Sequence, residues 1–182
     1  MRKIVAGLFI TLDGVVEAPE KWNMAYFNEE MGAAVGAQTA KSDTMLLGRN
    51  TYETFAATFG PQGDDDPMAA IMNNLPKYVV STTLDTADWK NSTVIKGDIA
   101  EQITALKGQD GKDITVSGSP TLVRWLVEKG LLDELQLMVH PLVLGEGAQL
   151  FPSGSARSPL TLVDVKPFST GVVLTTYRPA ES

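Results

Sequence analysis

The run Gly48-Arg49-Asn50-Thr51-Tyr52-Glu53 sets a glycine, a guanidinium and a hydroxyl at the start of a helix-forming pattern, directly after the apolar Met45-Leu46-Leu47. That order reads as strand, tight turn and helix. Gly48 lets the backbone bend and lets a ligand approach closely. A helix N-terminus offers unpaired N–H groups and a partial positive charge, so anions bind there. Arg49 can meet a phosphate with two parallel hydrogen bonds, and Thr51 adds a hydroxyl. Asn50 and Glu53 have the spacing of a capping box. Taken alone, the stretch is equally a capped helix with a surface arginine, because capping patterns are common.

A second helix start follows Asp113-Ile114-Thr115-Val116-Ser117-Gly118. Ser119 suits an N-cap and Pro120 the first helical position, and Thr121 and Leu122 come next. Ser81-Thr82-Thr83 supplies hydroxyls after a strand beginning at Lys77. Asp13 precedes Gly14 at the end of an apolar run, where it is either a carboxylate placed for chemistry or a turn former. The single histidine, His140, could serve as a base; on an alternating strand before Pro141 it reads as structural.

Other chemistries are excluded. The chain contains no cysteine, which removes disulfides, cysteine zinc sites and thiol nucleophiles. There is no phosphate loop of the Gly-x-x-x-x-Gly-Lys type, Gly145-x-Gly147 lacks the third glycine of a dinucleotide fingerprint, and no nucleophile elbow is present. Asp64-Asp65-Asp66 lacks the spacing of a calcium loop, so no metal is expected.

The elements that must position these residues follow from periodicity. Ile4 to Leu12 is expected to be a central strand, residues 15 to 23 a loop, and Tyr26 to Lys41 a helix weakened by Gly32 and Gly36. Gly60 to Pro67 is a loop, its aspartates solvated, and Met68 to Asn74 a short helix. Lys77 to Thr83 is a strand running into its hydroxyl-rich loop. Trp89 with Val94-Ile95 suggests another strand, and Asp98 caps a helix to about Leu106. The helix after Ser119 stops at Gly130. Leu135 to His140, Leu160 to Val165 and Val172 to Tyr177 complete the strands, the last two as antiparallel neighbours.

At 182 residues, 43% apolar and 20% charged, the chain suits one soluble globular domain, residues 1–182. Its net charge of −7, from 15 basic and 22 acidic residues, argues against nucleic acid and anionic membranes as partners. Arg2-Lys3 followed by Ile4 to Ile10 has the outline of a signal peptide, but Asp13 ends the run and no small-x-small site follows, so a cytoplasmic strand is expected. No apolar stretch approaches the roughly 18 residues of a membrane span.

Strands alternate with helices over the first two thirds and then dominate, which implies a three-layer α/β sheet with a mixed or antiparallel edge. Ligands of such sheets gather outside the strand C-termini. Asp13, the Gly48 to Thr51 turn, Ser81 to Thr83 and Gly118-Ser119 all fall there. Two of the four open helices, so a ligand with at least two phosphates, such as a dinucleotide, is the natural occupant.

These residues carry a resemblance. Thr11-Leu12-Asp13-Gly14, Leu46 to Glu53, Val80-Ser81-Thr82-Thr83-Leu84, Val116-Ser117-Gly118-Ser119, and Leu132-Asp133-Glu134-Leu135 through Leu144-Gly145-Glu146-Gly147 occur in the order found in the dihydrofolate reductase superfamily. The chain resembles its free-standing relatives of the riboflavin-biosynthesis reductase domain over nearly its whole length. The resemblance implies a mixed sheet of about eight strands flanked by helices, with NADPH bound across the strand ends. Carried over by position, Arg49 would hold the adenosine 2′-phosphate, Gly48 would belong to the same turn, Thr51 would meet the pyrophosphate, and Ser81 with Thr82 the adenosine side. Gly118, Ser119, Thr121 and Leu122 would meet the pyrophosphate from the second helix. Asp13 would lie near the nicotinamide, and Trp22 matches a tryptophan of the mobile active-site loop.

One departure bears on the substrate. Similar true dihydrofolate reductases place a pterin-gripping carboxylate five residues after that tryptophan, where this chain has Phe27. Trp22 and Phe27 are therefore the expected substrate contacts, and Glu29 and Glu30 would face differently on a helix. The expected activity is hydride transfer from NADPH to a C=N or C=O bond of a small heterocycle, pterin- or pyrimidine-like, with Asp13 orienting substrate or relaying a proton at a raised pKa. The alternatives are a nucleotide-binding module without turnover and a flavin-binding protein. A homodimer is expected, with Leu135, Leu137 and Val139 extending an apolar face to the partner.

Overall fold

The structure, a computed structural model, describes residues 1–180. Strand β1 (Ile4–Thr11) is the expected central strand, and it ends where the Thr11 N–H and hydroxyl both bond back to Val15. The expected helix from Tyr26 starts later, as α1 (Glu29–Ala40), because Phe27 and Asn28 are extended and the Asn28 carboxamide caps the helix by accepting from the Met31 N–H at 3.0 Å. Residues Met24–Tyr26 form a single 3-10 turn instead. Next come β2 (Ser42–Gly48), α2 (Arg49–Phe59), α3 (Pro67–Asn74), β3 (Lys77–Val80), β4 (Ser92–Ile95), α4 (Ile99–Gly108), β5 (Asp113–Val116), α5 (Pro120–Glu128), β6 (Glu134–His140), β7 (Leu160–Pro167) and β8 (Val173–Pro179).

All eight strands join one sheet in the order β4-β3-β2-β5-β1-β6-β8-β7. Strands β4 through β6 are mutually parallel, β8 runs antiparallel to β6, and β7 is antiparallel to β8. The expected mixed sheet, its antiparallel end and the flanking helices are all present. Alternation along β1 makes the layers. Ile4, Ala6, Leu8 and Ile10 pack with Ile103 and Leu106 of α4 and Leu122, Val123 and Leu126 of α5. The other face carries two clusters, one of Met45, Leu47 and Val79 with Tyr52 of α2, the other of Met138, Phe168 and Val172 with Met31 of α1. Fully burying each large apolar side chain contributes about 1.5–3 kcal/mol, so both helix layers are held chiefly by this seam.

Several local expectations give way to tertiary contacts. Trp89 lies in a loop, not a strand, buried with its Nε1 donating to Asn73 Oδ1 at 2.7 Å. Lys77 is also buried, its Nζ donating to the carbonyls of Asn73, Leu75 and Lys90, and burial beside Lys90 lowers its pKa to about 8. Asp66, expected to be solvated, caps α3 by accepting from the Ala69 N–H. β6 is flanked by β1 and β8 and so has no free edge for a partner, with Leu135 buried in the core under α5 and Leu137 and Val139 partly buried against it. The exposed apolar strand is the edge, β7, where Leu162, Val163 and Val165 are 51%, 43% and 52% exposed.

Candidate active site

The parallel strands bring the two helix starts face to face. The Gly48 N–H donates to the Gly118 carbonyl at 3.0 Å. A methyl group on Gly48 would lie 2.9 Å from the Ser119 backbone nitrogen and closer still to its hydroxyl, and one on Gly118 would meet the Thr51 hydroxyl at 2.5 Å. Gly118 also sits at φ +139°, a conformation open to glycine. Only hydrogen fits at either position, so the two turns form a close-walled cradle.

Helix capping identifies which start can take an anion. Asn28, Asp66, Asp98 and Ser119 cap α1, α3, α4 and α5 through their side chains. At α2 the N-cap is Gly48, with no side-chain cap. The expected Asn50–Glu53 capping box does not form, because the helix begins one residue before Asn50 and Glu53 turns to Arg49, accepting from its Nε at 2.8 Å. The first-turn N–H groups of α2 are thus left for a ligand. Arg49 also donates from Nη1 to Thr83 Oγ1 at 2.7 Å, tying α2 to the loop after β3.

The other expected contacts divide. Ser81 is buried and its hydroxyl accepts from the Thr83 and Leu84 N–H groups, so it shapes the loop, while Thr82 and Thr83 stand exposed on it. Strand β3 ends at Val80 for this reason, not at Thr83. Ser119 Oγ accepts from the Leu122 N–H at 3.4 Å; Leu122 itself is buried in the core. Thr121 is exposed and accepts from Arg124, whose other nitrogen donates to the Gln149 and Leu150 carbonyls. The spacing of Ser81 to Thr83 contained Thr83, but nothing local showed that it would reach Arg49 across 34 positions.

Asp13 lies at the C-terminal end of β1, and its carboxylate is engaged. It accepts from Thr11 Oγ1 at 2.6 Å, Leu144 N at 3.2 Å and Gly145 N at 2.7 Å. A raised pKa was the expectation. The Thr11 hydroxyl and then the Gly145 N–H instead hold the carboxyl below its ordinary value. Glu30, near the place of a pterin-gripping acid, is likewise engaged, accepting from Asn28 Nδ2 and from both the N–H and the hydroxyl of Ser169. Phe27 is 45% exposed, beside Gly32 of α1.

Across from Asp13, Thr11 pairs in register with His140, the last residue of β6. Three rings surround the His140 imidazole: Trp22, Tyr26 and Phe9, with centroids 5.0, 5.5 and 5.8 Å away and planes at 82–86°. Trp22 is further held by its Nε1 donating to the Glu17 carbonyl at 3.0 Å. Burial lowers the histidine pKa, against the Met138 and Ile10 carbonyls, which raise it. Spacing on β6 put His140 on the strand but could not show this aromatic enclosure.

A concavity of about 590 Å³ bounded by Gly60, Asn73, Trp89 and Lys90 lies instead at the N-terminal ends of β3 and β4. Its buried polar group, Asn73, is committed to Trp89 and to the Phe59 and Gly63 carbonyls. The sequence-predicted residues lie instead at the strand C-termini, where ligands of such sheets gather. Among the described residues no cluster of side chains could hold a metal ion, and no helix is long and apolar enough to cross a membrane.

Comparison with known proteins places the fold and the family. Residues 2–174 match the family model of the RibD C-terminal domain. The chain is 32% identical over 181 residues to the uncharacterized protein YyaP of Bacillus subtilis (strain 168), covering 97% of this chain and 95% of that one. In structure it is similar to a putative riboflavin biosynthesis protein from Shewanella sp. PV-4, with TM-score 0.79, 19% identity and coverage of 98% and 99%. It is also similar to the dihydrofolate reductase of Enterococcus faecalis solved with NADP(H), with TM-score 0.63, 17% identity and coverage of 98% and 97%.

Proposed function

The chain belongs to the RibD C-terminal domain family, and we propose that it is an NADPH-dependent reductase acting on a C=N or C=O bond of a small heterocyclic substrate. The observation that carries the reading is the cradle: an uncapped α2 start with Arg49 and Thr51, walled by Gly118 and Ser119 so closely that neither glycine admits a side chain. Such a cradle fits a pyrophosphate, with backbone N–H groups and two hydroxyls as donors. Arg49 and the exposed Thr82 would hold the adenosine side.

When bound, the reduced nicotinamide supplies hydride to carbon, and the substrate nitrogen or oxygen gains a proton. The residues of this chain orient and exclude water. Trp22, Tyr26 and Phe27 furnish the aromatic wall, and Asp13 holds the 144–145 loop against the end of β1. Purified protein incubated with NADPH and a panel of pterins, ribosylamino-pyrimidine phosphates and quinonoid compounds should oxidise NADPH with at least one of them. Tight NADPH binding without turnover across the panel would favour the nucleotide-binding module instead.

Asp13→Asn is expected to lower kcat while leaving NADPH affinity within a few-fold, because the amide keeps one acceptor oxygen where the carboxylate uses two. The lowered carboxyl pKa gives the sign of the pH effect. Its stabilising contribution is complete above the ordinary 3.8 and is lost as pH falls through the lower folded value. Steady-state kinetics and hydrogen exchange of residues 144–149 from pH 3 to 7 measure both effects; unchanged kcat and protection in the variant would reduce Asp13 to a turn residue.

We further propose a cytoplasmic homodimer, now through β7 in place of β6. A long apolar edge strand left unpaired invites pairing with another chain, and two-fold closure satisfies it. Sedimentation should give twice the 19.6 kDa chain mass, and Val165→Lys should return the 19.6 kDa species. A monomer at micromolar concentration before any substitution would remove the idea.

A further inference from the structure

The His140 side chain is fully buried, yet its Nε2 has no hydrogen-bond partner. The other ring nitrogen, Nδ1, is 2.8 Å from the Met138 carbonyl, and the Ile10 carbonyl also lies against the imidazole. A carbonyl can only accept, so Nδ1 carries the proton of the neutral ring and Nε2 presents a lone pair. Nδ1 is turned back to the β6 backbone, so Nε2 lies on another edge of a ring enclosed by Trp22, Tyr26 and Phe9. Leaving such an acceptor unpaired out of water costs about 1–3 kcal/mol. The loop over it carries a second buried acceptor without a partner, Asn23 Oδ1, between Trp22 and Tyr26.

We propose that His140 is the substrate-recognition residue, its Nε2 accepting a hydrogen bond from an N–H or O–H of a neutral, planar ligand that enters where Trp22 and Tyr26 close over the imidazole. This rests on the reductase reading and narrows its substrate. A lone pair repels phosphate and carboxylate oxygens, and it gains nothing from a quinone, which has only acceptors. Aromatic rings on three sides suit a flat heterocycle. The carboxylates of Asp13 and Glu30 are both engaged, and Phe27 stands where similar dihydrofolate reductases place an acid. The ligand class is therefore an uncharged heterocycle bearing a lactam or amino N–H, bound without the acid-to-amidine pairing that a carboxylate would make.

The chain has one histidine, so its imidazole nitrogens can be followed without assignment ambiguity. Protein labelled with nitrogen-15 histidine is titrated, with and without NADPH, against pterin, 5,6-diaminouracil and para-benzoquinone while the long-range proton–nitrogen spectrum is recorded. The Nε2 signal should sit at the position of a free lone pair and move towards the hydrogen-bonded position with pterin or the diaminouracil, but not with the quinone. His140→Phe keeps the aromatic enclosure without the acceptor and should weaken the donor ligands about 2- to 10-fold, the worth of one hydrogen bond, leaving NADPH affinity unchanged. An Nε2 signal already hydrogen-bonded in the free protein, or unmoved by either donor ligand at millimolar concentration, would overturn the proposal whether or not the variant folds. The NADPH titration is read separately: failure to bind NADPH sinks the reductase reading, whereas NADPH binding with a silent histidine sinks only this one.

Discussion

Gly48→Ala is expected to destabilise the protein by about 1–3 kcal/mol, the range for forcing an extra methyl into a packed site, and to weaken NADPH binding roughly tenfold or more by the same misfit. The methyl would stand 2.9 Å from the Ser119 backbone nitrogen, and backbone cannot swing aside as a flexible side chain can. Gly48 has an ordinary extended φ of −78°, so strain plays no part and the whole effect is contact. Relief requires the α2 and α5 starts to separate, which opens the cradle. Gly36→Ala is the matched control, because nothing lies within 4 Å of a methyl there and alanine in a helix gains about 0.5–1 kcal/mol over glycine. Urea unfolding and NADPH fluorescence titration of both variants test this. Full NADPH affinity in a folded Gly48→Ala protein would mean that the phosphates are held elsewhere.

Arg49→Ala should abolish most of a preference for NADPH over NADH, expected at about ten- to a hundredfold from one charge-assisted forked contact to the 2′-phosphate. Without ligand the guanidinium is shared between Glu53 and Thr83. The Arg49 and Glu53 side chains are 47% and 46% exposed, so their helical i,i+4 pair is worth only about 0.3–0.5 kcal/mol. A phosphate therefore outcompetes it. NADPH should weaken in the variant while NADH hardly changes, and salt should narrow the gap in the unmutated protein. Equal affinities for the two cofactors before mutation would leave Arg49 a surface residue joining α2 to the loop after β3.

The features that could be read from the chain were those made by residues a few positions apart. The β1 apolar run, the Ser119 cap with Pro120 behind it, the Asp98 cap and the stop at Gly130 depend on backbone geometry and hydrogen bonds within a turn, and each formed as its local pattern implied. The glycines of the cradle were visible for the same reason, as positions where a turn must be tight. What could not be read depends on which strands become neighbours. Leu135, Leu137 and Val139 have an alternating pattern that suits an exposed face as well as a core, and only the packing of the helix layer on β6 buried Leu135 and left Leu137 and Val139 partly covered. Asp13 acquired a lowered pKa from the Thr11 hydroxyl two positions away and from the Gly145 N–H more than a hundred positions away, Glu30 lost its freedom to Ser169, and Glu53 turned from capping to pairing because α2 began at Arg49. The orphaned Nε2 of His140 arises when the C-terminal ends of β1 and β6 and the Trp22 loop converge on one buried ring. Local periodicity specifies which side chains alternate; the partners that set their charge, burial and reactivity are brought together by the order of strands in the sheet.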